Sequence, residues 1–204
     1  MNKQGDNTLG TSYERLYNHA NSKWSLIIAF IWGFAEATLF FIVPDVYLGF
    51  VALFHWRRGL SAAIAALLGA MLGGSVMYVL ATNDSSGIIE LLTRVPLIDT
   101  ALVNEVAGNM RADGLVTILT GPLKGTPYKI YAAQAGEQAF SFLSFLLMTI
   151  PARLERFIPV VLIFGGLGRW FQTFCEKHTI LVVMSYVLLW CMIYFVFIIY
   201  FGFH

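Results

Sequence analysis

T-G-P-L-K-G-T-P-Y-K-I-Y-A-A-Q-A-G, residues 120–136, decides how this chain is read. It holds two lysines, two prolines and three glycines, and the apolar run Leu115–Leu119 leads into it. Gly121-Pro122 and Thr126-Pro127 each stop regular structure. In a soluble protein this would be a surface loop. Here the flanking sequence is membrane-like, which makes it a broken, re-entrant segment carrying positive charge into or near a bilayer.

The composition supports that setting. Of 204 residues, 58% are hydrophobic and 12% charged, against about 25% charged in soluble chains. The mean hydropathy is +0.71, and 17 Phe and 9 Tyr add apolar surface that a soluble core of this size could not hide. The expectation is an all-α integral membrane protein. A net charge of +1 without a basic block gives no reason to expect nucleic acid as a partner. Cys191 lies in an apolar run and Cys175 at its flank, so two free thiols are expected rather than a disulfide. Residues 1–23 read as a polar N-terminal tail without the apolar core of a signal peptide, so the first hydrophobic segment is expected to insert itself. Lys3, Arg15 and Lys23 against Asp6 and Glu14 favour a cytoplasmic N-terminus.

Trp24–Phe54 is about 30 residues long, where one spanning helix needs roughly 20. Glu36 sits inside it, Pro44-Asp45 interrupts it, and Arg57-Arg58 follow it. One reading is a segment that enters, turns at Pro44-Asp45 and returns; the other is a single tilted helix, Trp24–Val43, with an interfacial tail. Gly59–Ala81 reads as a spanning helix. Ala62, Ala66, Ala70 and Gly74 fall four apart, as do Ala65, Gly69 and Gly73, giving faces where helices pack closely. In Thr82–Asp113 five acidic residues stand against two arginines, and Ile88, Leu91, Leu92, Val95, Ile98, Leu102, Val106 and Met110 recur at helical spacing. Pro96 divides this region into two short amphipathic helices. Glu137–Gly168 reads as one long helix kinked at Pro151 and Pro159, with two short helices as the alternative. Arg169–His178 reads as a polar link. Ile180–Phe203 is a last, uncharged span, with Trp190, Tyr194 and Tyr200 among its interfacial aromatics.

Glu36, Asp45, Lys124, Lys129, Arg153, Glu155 and Arg156 are the ionisable residues in apolar territory. Each would cost about 2.5–3.5 kcal/mol at a helix centre, so together they argue for a shared polar cavity. The two acids can offset the bases, or take up and release protons, since burial raises a carboxylate pKa. The bases suit an anionic group, most naturally a phosphate. A phosphate-bearing lipid is a substrate that would use such a cavity, and half-helix ends would add backbone donors. Arg153 and Arg156, three apart, share a helix face. The four histidines are flanking or terminal and lack paired metal-ligand spacing, so no metal, no cofactor and no enzymatic activity are expected.

Glu36, then Pro44-Asp45, then Gly69-x-x-x-Gly73-Gly74-x-x-x-Tyr78 resembles the N-terminal half of the DedA (VTT-domain, SNARE-associated-type) membrane family. That half carries a membrane acid, a Pro-x-acidic turn and a G-x-x-x-G-D-x-x-x-Y helix. Gly74 stands where the family often has Asp. Lys124-Gly-Thr-Pro127-Tyr-Lys129, followed by Ala135-Gly136, resembles the family's R-F-x-P-x-x-R and A-G elements. Lysines replace the arginines, and the second base comes one place early. Arg156-Phe157 is a further match to the R-F pair. The likeness is to the shorter YqaA-like branch and covers residues 24–169, leaving 170–204 as a linker and C-terminal transmembrane helix.

The resemblance implies two re-entrant helical hairpins facing each other, with about three spanning helices around them. It implies a flippase or scramblase in the bacterial inner membrane, moving phospholipid or polyprenyl phosphate between leaflets, with protons as a coupling option. Glu36 and Asp45 become proton- or ion-coupling candidates, and Lys124, Lys129, Arg153 and Arg156 head-group ligands. Pro44, Gly121, Pro122, Pro127 and Gly136 become hairpin-shaping residues, while Gly69, Gly73 and Gly74 pack helices. A small-solute or ion transporter and a non-catalytic membrane scaffold or assembly factor stay open, as does a homo-oligomer.

Overall fold

The computed structural model describes the backbone of residues 3–121 and 124–202, with side chains over 12–121 and 124–199. Pro122 and the Tyr200 side chain lie outside the described residues. Among these, every regular element is helical. The α-helices are α1 (Lys3–Asn21), α2 (Lys23–Thr38), α3 (Asp45–Phe54), α4 (Trp56–Asn83), α5 (Ser85–Thr93), α6 (Thr100–Asp113), α7 (Thr117–Thr120), α8 (Tyr128–Glu137), α9 (Phe142–Trp170), α10 (Gln172–Lys177) and α11 (Thr179–Gly202). Two are long and apolar enough to cross a membrane: α4, with a mean hydropathy of 2.0, and the Thr179–Ile199 part of α11, at 2.5. Only 6% of the α11 window is buried, so this helix shows apolar side chains almost all round.

The centre is α4, and its small residues are the reason. A Cβ on Gly69 would overlap the Phe30 carbonyl, and one on Gly73 would press on the Phe34 carbonyl and Ala37. From the other side, Gly33 leaves room for the Ala66 backbone. The glycines therefore let α2 and α4 touch backbone to backbone. Gly59 meets Val161 and Tyr78 stacks near Phe142 and Phe145, so α9 runs the length of α4 in the opposite direction.

Two ten-residue helices each precede a long one and cross to the other long one. Asp45 at the start of α3 pairs with Arg156, and Leu53 near its end meets Gly168, so α3 lies along α9. Tyr128 at the start of α8 fills the notch at Gly74, and Gly136 meets the Tyr78 carbonyl, so α8 lies along α4.

Several expectations change. A single helix over Trp24–Val43 does not form: α2 ends at Thr38, and the chain turns through residues 39–44. Trp32 Nε1 donates to the Ile42 carbonyl (2.9 Å), and Arg58 Nη2 donates to the Asn21 carbonyl (2.8 Å). The starts of α2 and α4 therefore sit together. The polar N-terminal stretch is helical over Lys3–Asn21, as α1. Its aromatic residues dock on α3, Tyr13 against Phe54 and His19 Nε2 against the Tyr47 hydroxyl (3.1 Å). The expected link 169–178 is instead the end of α9 plus α10. Pro151 and Pro159 both lie inside α9, which stays one helix of 29 residues.

The acidic stretch folds as two short helices, each with an aspartate cap. Asp84 Oδ1 accepts from the Gly87 amide (2.9 Å), and Asp99 Oδ1 accepts from the Leu102 amide (2.7 Å). Ile88, Leu92, Val95, Ile98, Val106 and Met110 are buried against α8, while Leu91 and Leu102 are half-buried. Leu97, between the two helices, adopts φ +64°, which is uncommon for a leucine.

Candidate functional site: a basic cavity where two broken segments meet

The breaks before α3 and before α8 open onto one cavity of about 380 Å³. Its polar wall is Glu36 from α2, Lys124 and Thr126 from the 121–127 turn, Lys129 from α8 and Arg156 from α9. Its apolar wall is Phe41 and Val43 from the first break, with Trp190, Ile193, Tyr194 and Phe197 from α11. Residues 95–98, with Leu102, close a further side.

Local chemistry sets both breaks. Pro44 and Pro127 each occupy the position just before their helix, where the missing proline amide costs no helical hydrogen bond. The turn before α8 folds around the Gly121 carbonyl, which accepts from the amides of Lys124 (2.9 Å) and Thr126 (3.1 Å). Gly125 supplies the left-handed step, φ +89°. Gly121 is conformationally ordinary, and its role is to leave room for the Tyr131 ring. Gly136 shapes no turn. It is helical within α8, and a Cβ there would overlap the Tyr78 carbonyl, so it is a packing glycine.

The structure sorts the charges in a way the sequence did not. Both acids are almost wholly buried and both pair with α9: Arg153 Nη2 donates to Glu36 Oε2, and Arg156 Nη2 donates to Asp45 Oδ2 (2.8 Å). Arg153 is fully buried and is not part of the cavity wall. It is therefore placed as the counter-charge of Glu36 rather than as a ligand of something in the cavity. Arg156 is partly exposed and does reach the wall. Lys129 is 2% exposed, and its Nζ donates to the Phe40 carbonyl (2.7 Å). Lys124 is exposed at the cavity rim. Among the described residues, neither lysine has a carboxylate within ion-pair distance. Glu155 is half-buried and lies off the cavity.

With the acids matched one to one by arginines, the two lysines remain as surplus positive charge beside an apolar wall. That arrangement suits an anion attached to an apolar body. Tyr128, Thr149 and Tyr194 also build the site, and no sequence argument singled out these roles. The Tyr128 ring carries the Arg153 guanidinium at 4.1 Å, and the Tyr194 hydroxyl accepts from the Val43 amide at 2.9 Å. Tyr128 had a signal, since it adjoins Lys129 in the opening stretch. Thr149 had none.

No protein-family model matches the chain. It is similar to an uncharacterised protein of Haemophilus influenzae, 20% identical over 187 residues, which cover 92% of this chain and 96% of that one. No solved structure matches.

Proposed function

We propose that this chain is a DedA-like integral membrane transporter that moves phosphate-bearing lipids between leaflets. The observation that carries the reading is the cavity, where two surplus lysines stand beside an apolar wall at the meeting of two broken segments. In this reading, α2–α3 and α7–α8 are re-entrant hairpins, and α4, α9 and α11 are the spans around them. The crossed pairing of α3 with α9 and α8 with α4 supports an inverted repeat of a short helix followed by a long one. Lys124, Lys129 and Arg156 hold the head group, and the α11 aromatics lie along the chains. Glu36 and Asp45, each tied to an arginine on α9, are where proton or ion coupling would act.

Orientation follows from the ends of the bundle. The end at the α3–α4 and α9–α10 junctions gathers Arg15, Lys23, Arg57, Arg58, Arg169 and Lys177. The opposite end carries Asp84, Glu90, Asp99, Glu105 and Asp113, with Arg94 and Arg111 as its basic residues. An excess of Lys and Arg favours the cytoplasmic side, which supports an N-terminus on the cytoplasmic face of a bacterial inner membrane.

The test is reconstitution into vesicles with a panel of labelled lipids: polyprenyl phosphate, phosphatidylethanolamine, phosphatidylglycerol and phosphatidylcholine. Wild type should exchange one or more phosphate-bearing lipids. Lys129→Ala should lower that rate by about tenfold or more, in line with losing one charge-assisted contact of roughly 1.5–3 kcal/mol. Equal rates in protein-containing and empty vesicles for every lipid would sink the reading. The one-to-one pairing of buried acids with arginines would then favour the scaffold, whose charges serve only one another.

A further inference from the structure

Tyr128 is 1% exposed and lies behind the cavity wall, not in it. Its ring is fixed on three sides. It stacks on Phe145 with centroids 6.1 Å apart, it fills the notch left by Gly74, and its hydroxyl lies 2.8 Å from Thr149 Oγ1. Thr149 donates its own proton to the Phe145 carbonyl (2.9 Å), so it accepts from Tyr128. The remaining face of the ring carries the Arg153 guanidinium, Cζ 4.1 Å from the centroid. Arg153 is fully buried, its Nη2 donates to Glu36, and its Nε and Nη1 have no hydrogen-bond partner. Besides its one carboxylate partner, the guanidinium meets two ring faces, Tyr128 at 4.1 Å and Phe157 at 5.9 Å from their centroids. The nearer, electron-rich Tyr128 face supplies the main restraint on its turning.

We propose that Tyr128 is a positioning residue: through the Arg153 guanidinium, its ring sets where the Glu36 carboxylate stands on the cavity wall. The first two residues of α8 then hold the end of α2 and the start of the first break. Tyr128 acts on Glu36 through Arg153, and Lys129 binds the Phe40 carbonyl directly. The inference rests on the transport reading only for why Glu36 matters; the geometry stands apart from it. The charged and titratable groups around Glu36 are Lys129 on α8, Arg153 on α9 and Tyr194 on α11, with the Asp45–Arg156 pair beyond.

Dicyclohexylcarbodiimide reacts with protonated, apolar-sheltered carboxyl groups, and mass spectrometry of the full-length protein in micelles locates the adduct. Glu36 in the wild type should resist modification at neutral pH. Tyr128→Leu should raise modification of Glu36 by about tenfold at the same pH. Tyr128→Phe keeps the ring face, and Thr149→Val keeps Tyr128 itself, so both should stay within about twofold of wild type. Asp45, held by Arg156, should be modified equally in all four proteins. Two results overturn the inference: Glu36 in Tyr128→Leu behaving as in wild type, or Asp45 rising in step with it, which would mean general loosening. If Tyr128→Leu does not fold, exposure of Glu36 in Tyr128→Phe overturns it equally. The labelling needs no lipid movement, so absent exchange in wild-type vesicles would sink the transport reading without deciding this one.

Discussion

Glu36 and Arg153 are 117 residues apart and meet in a site with almost no solvent. Removing one member of such a pair leaves a buried charge without its partner, a loss of about 3–5 kcal/mol, whereas replacing both with apolar residues of similar size is often neutral or better. Glu36→Leu and Arg153→Leu should each lower the melting temperature in detergent well below that of the double variant, and a double variant no better than the worse single one would contradict the pairing. Asp84 gives a residue-scale prediction at the protein's edge. The Gly87 amide, then the Ser86 hydroxyl, hold its carboxyl below the usual value. Because the folded value is depressed, the cap's contribution is complete above the ordinary carboxylate range, near about 3.9, and is lost as pH falls through the folded value. Protection of the Gly87 amide from hydrogen exchange should fall over that acidic window in wild type, and Asp84→Ala should abolish the dependence.

At the scale of elements, the glycines divide into those that admit a neighbour and those that do not. A side chain at Gly136 would meet the Tyr78 carbonyl and Thr82, both belonging to α4. Gly136→Ala should therefore push α8 away from α4 and destabilise by about 1–3 kcal/mol, the usual range for overpacking. Gly166 on α9 has nothing within 4 Å of where a Cβ would stand. Gly166→Ala should be neutral or stabilising by up to about 1 kcal/mol, through helix propensity alone. Thermal unfolding of the two variants side by side checks the assignment, and similar shifts in both would count against close α4–α8 contact. The existence of α3, α5, α6 and α8 was legible in the sequence because its causes are local, whereas α1 and α10 fell where a tail and a link were expected. Pro44 and Pro127 stand just before α3 and α8, and Asp84 and Asp99 before α5 and α6. What Gly121 and Gly136 do was not legible, since both are explained by a ring or a carbonyl supplied from elsewhere: Tyr131 from α8, Tyr78 from α4.

For the whole molecule, the separation of basic and acidic ends predicts topology. With Cys175 and Cys191 replaced by serine, Ser86→Cys should react with a membrane-impermeant maleimide in intact spheroplasts, and Gln172→Cys only after permeabilisation. The reverse pattern would invert the proposed orientation. The sequence by itself determined a strongly apolar chain suited to a membrane, with 58% hydrophobic residues and a 21-residue uncharged stretch at Thr179–Ile199 long and apolar enough to cross one. It also determined which charges are costly to bury, and four of those seven, Glu36, Lys124, Lys129 and Arg156, line the cavity. Only the tertiary structure decided how those charges are shared. In the sequence Arg153, Arg156, Lys124 and Lys129 all stood as head-group candidates, the arginines mainly on the charge argument. The packing of α3 along α9 assigns Arg156 to Asp45, the reach of the Arg153 side chain to α2 assigns it to Glu36, and the lysines are left over. Helix periodicity and capping act over a few residues, while charge pairing acts through distance in space, and nothing local in a chain specifies which remote helix will lie within 4 Å of it.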